Sequence, residues 1–126
     1  MVVAMTLTEA QQAGIAPWDN LIAETTWCMV YLDRYPCTPG HQLFVPKDND
    51  NFLWVVRAME DAVATGHTMV ANGECDGFNI GYNHGEAAGQ TVMYPHVHLI
   101  PRRTGDVEDP VGGVRYTISG KANYRK

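Results

Sequence analysis

Gln90-Thr-Val-Met-Tyr-Pro-His-Val-His-Leu-Ile-Pro101 is an apolar, β-prone run that carries two histidines, His96 and His98, two positions apart. Side chains alternate faces along a strand. A strand over Thr91–Ile100, stopped by Pro101, therefore puts Tyr94, His96 and His98 on one face and Pro95, Val97 and Leu99 on the other. Two imidazoles on one side and core residues on the other describe the floor of a site. Immediately upstream, Gly85-Glu-Ala-Ala-Gly-Gln90 is a Gly-rich loop feeding that strand. The pairing of loop and histidines suggests phosphate chemistry.

Working back towards the N-terminus, Gly77–Tyr82 is rich in β-formers and predicts another strand. Before it, Phe52, Val55, Val56, Met59 and Val63 recur at three- and four-residue spacing. That is the signature of an amphipathic helix, led by the cap candidates Asp48-Asn-Asp-Asn51 and ending near Thr65-Gly66. Glu24–Tyr31 and His41–Val45 predict two further strands. The Pro- and Gly-containing turn between them favours an antiparallel pair. Residues 5 to 14 predict a short helix capped by Thr8, or a loose arm. In the tail, Val114–Ile118 is a candidate fifth strand. The fold expected is α+β: a mainly antiparallel sheet of about five strands, one long helix and a shorter N-terminal helix. One domain spans residues 1–126, with 1–17 as an arm and 102–126 as a C-terminal tail.

The chain has 126 residues, 45% of them hydrophobic, enough for one core. A formal net charge of −5 argues against a general nucleic-acid binder. It leaves room for a small phosphorylated ligand, which needs only a local pocket rich in N–H groups. Cys28, Cys37 and Cys75 are odd in number and never spaced as CxxC, so neither a disulfide framework nor a structural zinc site is expected. Free thiols suit a reducing, cytoplasmic location. No basic stretch precedes an apolar core at the N-terminus, and no apolar run approaches the ~20 residues that span a bilayer, so neither signal peptide nor membrane contact is expected.

A neutral imidazole attacks phosphorus and carries the group as a phosphoramidate, provided its attacking nitrogen is unprotonated and its other nitrogen is held by an acceptor. A second histidine alongside donates to a phosphate oxygen as charge builds. H-x-H on one strand face is also a metal chelate, with His41 as a third ligand in space. Two satisfied core histidines are the plainest alternative.

At these residues the sequence resembles the histidine triad family of nucleotide hydrolases and transferases, over roughly residues 27 to 118. The similar blocks are Leu32-Asp-Arg-Tyr-Pro-Cys-Thr-Pro-Gly-His-Gln-Leu-Phe-Val-Pro-Lys47, Asn83-His-Gly-Glu-Ala-Ala-Gly-Gln-Thr-Val92 and His96-Val-His-Leu-Ile-Pro-Arg102. Gly105–Arg115 resembles the tail of a prokaryotic or phage hydrolase branch. The resemblance implies that His96 is the nucleophile and that His98, Asn83, Gln90 and Thr91 hold phosphate. It implies that Asp33 binds ribose hydroxyls and that His41 supports the triad. Tyr94 stands where the family has its first histidine, and Pro95 follows it.

What the resemblance implies is hydrolysis or transfer at the α-phosphate of a dinucleoside polyphosphate or nucleoside phosphoramidate through a nucleotidyl-histidine. No cofactor is required, although Mg²⁺ can accompany a polyphosphate. The expected partners are a small-molecule nucleotide and a second copy of the chain in a homodimer. A catalytically weak nucleotide-binding protein and a metal-binding protein using His96 and His98 are the alternatives.

Overall fold

A computed structural model describes residues 3–126. Five strands form one antiparallel sheet: β1 (Leu21–Glu24), β2 (Cys28–Leu32), β3 (Gln42–Pro46), β4 (Gly77–Tyr82) and β5 (Val97–Arg102). Their order across the sheet is β1-β2-β3-β5-β4, so β1 and β4 are the outer strands. Helix α1 (Leu7–Gln12) precedes β1, and helix α2 (Leu53–Ala71) joins β3 to β4.

Alternation along the strands builds two cores. Cys28, Val30, Phe44, Val97 and Leu99 face α2 and meet Ala58, Ala62 and Met69. Tyr31, Leu43 and Val45 face the opposite way and meet Leu7, Ala10, Ala16 and Tyr94. The N-terminal segment is therefore part of the fold, not a loose arm. Leu7 N–H donates to the Lys47 carbonyl, and Gln11 Nε2 donates to the Tyr31 hydroxyl.

Several sequence expectations shift. The cap of α1 is Thr6, not Thr8: Thr6 Oγ1 accepts from Glu9 N–H while Glu9 reaches back to Thr6 N–H, a reciprocal capping box. Glu24–Tyr31 is not one strand. Thr25 Oγ1 accepts from Cys28 N–H at 2.9 Å and donates to Asp61 at 2.6 Å, turning the chain between β1 and β2. Helix α2 runs five residues beyond Gly66, because that glycine lies under Phe78: a Cβ there would come within 2.7 Å of the ring. Asn51 closes its start, accepting from Leu53 N–H at 2.9 Å.

The expected apolar face of α2 divides in two. Small residues, Ala58, Ala62 and Gly66, make the close approach to the sheet. Phe52, Val56, Val63 and Val70 stay exposed along another stripe, Phe52 at 76%. Val114–Ile118 is not a strand; Gly113–Thr117 forms a 3-10 turn in a tail folded on itself. Gly112, at φ +97°, allows that fold, since a side chain there would run into the Ala122 carbonyl. No helix among the described residues is long and apolar enough to cross a membrane.

The largest correction concerns the opening stretch. The strand does not begin at Thr91; it starts at Val97 and continues through Pro101 to Arg102. Pro101 is tolerated because β3 pairs with β5 only as far as Leu99. Residues 91–96 are irregular, as a proline without an N–H at position 95 favours. Tyr94 therefore does not share a strand face with the two histidines; it is fully buried between α1 and the sheet.

Candidate functional site

The start of β5 sets His96 and His98 side by side. Val97 between them is buried in the core under α2, and the two imidazole centroids are 5.2 Å apart. From the neighbouring strand, His41 enters just ahead of Gln42, which pairs with Leu99. The turn after β2 brings Asp33, and the end of β4 leads into Asn83 and the Gly-rich loop. These elements enclose a cleft of about 300 Å³ lined by Asp33, Asn83, Gln90, Thr91, His96 and His98, with Trp18, Asp19 and Arg34 on its rim.

The hydrogen bonds fix where each imidazole carries its proton. His96 Nδ1 lies 2.9 Å from the Tyr94 carbonyl, which only accepts. The proton of neutral His96 therefore sits on Nδ1, and Nε2 keeps its lone pair. His41 works the other way round. The Cys37 N–H donates to His41 Nδ1 at 3.2 Å, so the proton of His41 sits on Nε2. That nitrogen faces His98 Nδ1 at 2.9 Å and Asp33 Oδ2 at 3.4 Å. His98 Nδ1 accepts, and His98 carries its own proton on Nε2. Two adjacent imidazoles thus hold opposite tautomers, one a base and one a donor.

Burial keeps all three rings neutral. His96 is held below the ordinary histidine value by loss of solvent, partly offset by the Tyr94 carbonyl and Asp33. His98 is lowered to about 4 by burial, then by His96 and His41 beside it. His41 is lowered by burial against the opposing pull of Asp33.

Tyr94 acts from behind the cleft and Gln90 from its wall. The Tyr94 hydroxyl donates to the Pro46 carbonyl at 2.7 Å, anchoring the segment whose carbonyl orients His96. Gln90 is buried and bridges the loop: its Oε1 accepts from Gly85 N–H at 2.8 Å, and its Nε2 donates to the Val92 and Met93 carbonyls. Asp33 Oδ1 accepts from Tyr35 N–H at 2.8 Å, which shapes the turn and leaves Oδ2 towards His41.

Among the described residues, the group of three able to hold a metal is Asp33, His41 and His98, with ligand atoms within 4.8 Å of one another; His96 is not part of it. The donor set does not fit an ion. With Nδ1 of His41 engaged by the Cys37 amide, a metal at Nε2 would leave that ring with no proton at all. The same three groups are satisfied as a hydrogen-bond chain. All three cysteines are free, with Cys28 and Cys75 buried and the Cys28 thiol pushed up to about 12 by burial.

Two contributors were not legible in the sequence. The Cys37 main-chain N–H acts regardless of side chain. Trp18, from the linker before β1, packs on His96 with centroids 4.8 Å apart and planes inclined by 56°; it has neither periodicity nor motif to mark it.

The HIT domain model matches residues 18–105 of the chain. An adenylylsulfatase of Arabidopsis thaliana, HINT3, is 36% identical over 89 residues, covering 66% of this chain and 45% of that protein. The adenosine 5′-monophosphoramidase HNT1 of Saccharomyces cerevisiae is 31% identical over 84 residues, covering 65% and 53%. The chain thus spans about half the length of these two curated relatives. A zinc-bound histidine triad family protein from Mycobacterium smegmatis superimposes with a TM-score of 0.67 at 31% identity, covering 82% of this chain and 79% of the other.

Proposed function

This chain belongs to the HIT domain family, and on that premise we propose that it cleaves a nucleoside phosphoramidate at the α-phosphorus through a nucleotidyl-His96 intermediate. The observation that carries the reading is the 2.9 Å contact from His96 Nδ1 to the Tyr94 carbonyl, which leaves Nε2 unprotonated in the cleft.

In this scheme Nε2 attacks phosphorus and the amine departs with the bonding pair and a proton from solvent. Water then attacks phosphorus, breaks the N–P bond and releases a nucleoside monophosphate with a proton. His98 Nε2–H donates to a phosphate oxygen as charge develops. Asn83, Thr91 and the loop N–H groups hold the remaining oxygens. Gln90 serves the phosphate site by holding the loop in shape. Asp33 accepts from ribose hydroxyls, and His41 and Tyr94 support His98 and His96. No cofactor enters.

Charge supports the phosphoramidate reading over the polyphosphate one. The cleft holds one cation, Arg34, which pairs with Asp19 at 3.1 Å, against the carboxylates of Asp19 and Asp33. A polyphosphate brings several negative charges to this lining and would need Mg²⁺ as counter-charge. A phosphoramidate brings about one, and its leaving amine suits a lining in which carboxylates outnumber cations. The phosphoramidase activity in the name of the yeast relative points the same way.

We also propose a homodimer. The stripe of Phe52, Val56, Val63 and Val70 on α2 offers a second copy an apolar face, and β4 offers an outer strand.

The test is a product assay on adenosine 5′-phosphoramidate and a diadenosine polyphosphate, each with and without Mg²⁺. Phosphoramidate turnover without metal is expected, lost in His96→Ala. A folded His96→Ala that still releases monophosphate would end this scheme. Nucleotide-induced thermal stabilisation without product in the parent protein would leave a binding protein instead.

A further inference from the structure

Trp18 takes none of the roles argued so far, yet its ring is the aromatic group nearest His96. The two centroids are 4.8 Å apart with the planes inclined by 56°. On its other side Trp18 packs on Tyr31, at 6.4 Å and 35°. It is attached to the core formed by Ala16, Leu43 and Tyr94, and it also lines the cleft. The indole is therefore anchored from behind and held against the ring of His96.

We infer that Trp18 is a positioning residue that stabilises the cationic ring of nucleotidylated His96. The inference rests on His96 being the nucleophile. Before attack the imidazole is neutral. Attack forms the Nε2–P bond and breaks the bond from phosphorus to the leaving group, which takes the electron pair and a proton from solvent. Nδ1 keeps its proton, because the Tyr94 carbonyl facing it only accepts. The ring of the intermediate thus carries a positive charge that the free protein lacks.

The groups facing that charge compensate it only in part: the Tyr94 carbonyl accepts from Nδ1–H at 2.9 Å, and Asp33 adds attraction from further off. His98 from β5 and His41 from beside β3 are neutral. Asp33 from the turn after β2 points Oδ2 at His41, and Asp19 on the rim is paired with Arg34. The indole adds an electron-rich π surface with its centroid 4.8 Å from that of the imidazole, inside the ~6 Å over which aromatic rings attract cations. Because the charge exists only once the N–P bond is forming, the attraction lowers the barrier to nucleotidylation more than it affects binding of substrate.

Rapid-quench single turnover with adenosine 5′-phosphoramidate tests this, with the adduct on His96 measured by mass spectrometry in the parent, Trp18→Phe and Trp18→Leu proteins. Nucleotidylation is expected to slow about tenfold in Trp18→Leu and by less in Trp18→Phe, with substrate Kd unchanged within about twofold. Thermal melts identify a variant that does not fold; Trp18→Phe, which preserves an aromatic ring, then carries the comparison. A Trp18→Leu rate equal to the parent would overturn the inference while leaving His96 as nucleophile. Equal slowing in both variants accompanied by an equal loss of substrate affinity would overturn it too. No adduct in the parent protein would overturn the reading of His96 itself, and this inference with it.

Discussion

His41 Nε2 lies 2.9 Å from His98 Nδ1, and the direction of that hydrogen bond is set one residue further back, by the Cys37 N–H on His41 Nδ1. A main-chain amide thereby decides which nitrogen of His98 carries a proton into the cleft. His41→Ala leaves His98 free to adopt either tautomer. We expect kcat to fall by about tenfold, against a loss on the order of 100- to 1,000-fold when His98→Ala removes the donor itself. Because His41 acts through His98, the double variant should be no slower than His98→Ala alone. Additive losses would assign His41 a separate role.

The neutral histidines also set a pH profile. An unperturbed histidine titrates near 6.5, while His98 in the folded protein titrates at about 4, and His96 and His41 are shifted in the same direction. Between those values the unfolded chain binds protons that the folded protein refuses. Stability is therefore full above about pH 6.5 and falls as pH drops below it, by up to about 1.4 kcal/mol per pH unit for each histidine still neutral. The His98 share levels off near pH 4. Melting temperatures across pH 4 to 8 should show this decline in the parent and a shallower one in His98→Gln. Loss of activity through protonation of His96 should set in only below pH 6.5; an acid limb above that value would mean the ring is not desolvated as the geometry requires.

Tyr94 offers a sharper test of how the site is supported. Its hydroxyl is buried and bonds the Pro46 carbonyl, while its own carbonyl orients His96. Tyr94→Phe leaves a buried carbonyl without a partner and should cost about 1–3 kcal/mol of stability. Tyr94→His should be no better: the pocket between α1 and the sheet is shaped for a larger ring, and Tyr94 is fully buried there. Urea unfolding would measure both. A gain in stability with Tyr94→His would show that the pocket tolerates an imidazole.

How much of this was legible in the sequence depended on whether a signal was local. The spacing of His96 and His98 and the Gly-rich loop marked residues that the fold brings to one cleft, and the β-formers of Gly77–Tyr82 marked β4. Tyr94 was misplaced because period-two reasoning was carried through Pro95, where the chain leaves the strand. The turn at Thr25 was hidden because its bonds run to Asp61, 36 residues away. Gly66 reads locally as a helix end, yet it packs under Phe78 from β4. Trp18 and the Cys37 amide join the site only through the fold. Along α2, the bulky apolar residues that periodicity selects as core include Phe52, Val56 and Val63, which are exposed, whereas Ala58 and Ala62 are buried. Local pattern identifies amphipathicity but not which stripe meets the sheet.

That second stripe leads to the prediction about assembly. Phe52, Val56, Val63 and Val70 recur at four- and seven-residue intervals, so they align along the full length of α2, with exposures of 76%, 40%, 39% and 38%. Exposed Leu53 lies next to its start. A stable interface needs on the order of 800 Å² from each partner, more than one such stripe provides, so the outer edge of β4 must contribute as well. Light scattering should report twice the mass of a 14.0 kDa chain for the parent protein. Val56→Asp combined with Val63→Asp should give a folded monomer, since each buries a charge at the contact while neither belongs to the cores around the sheet. A parent protein that sediments as a monomer at micromolar concentration would remove the dimer from the proposal and leave the stripe as ordinary exposed surface.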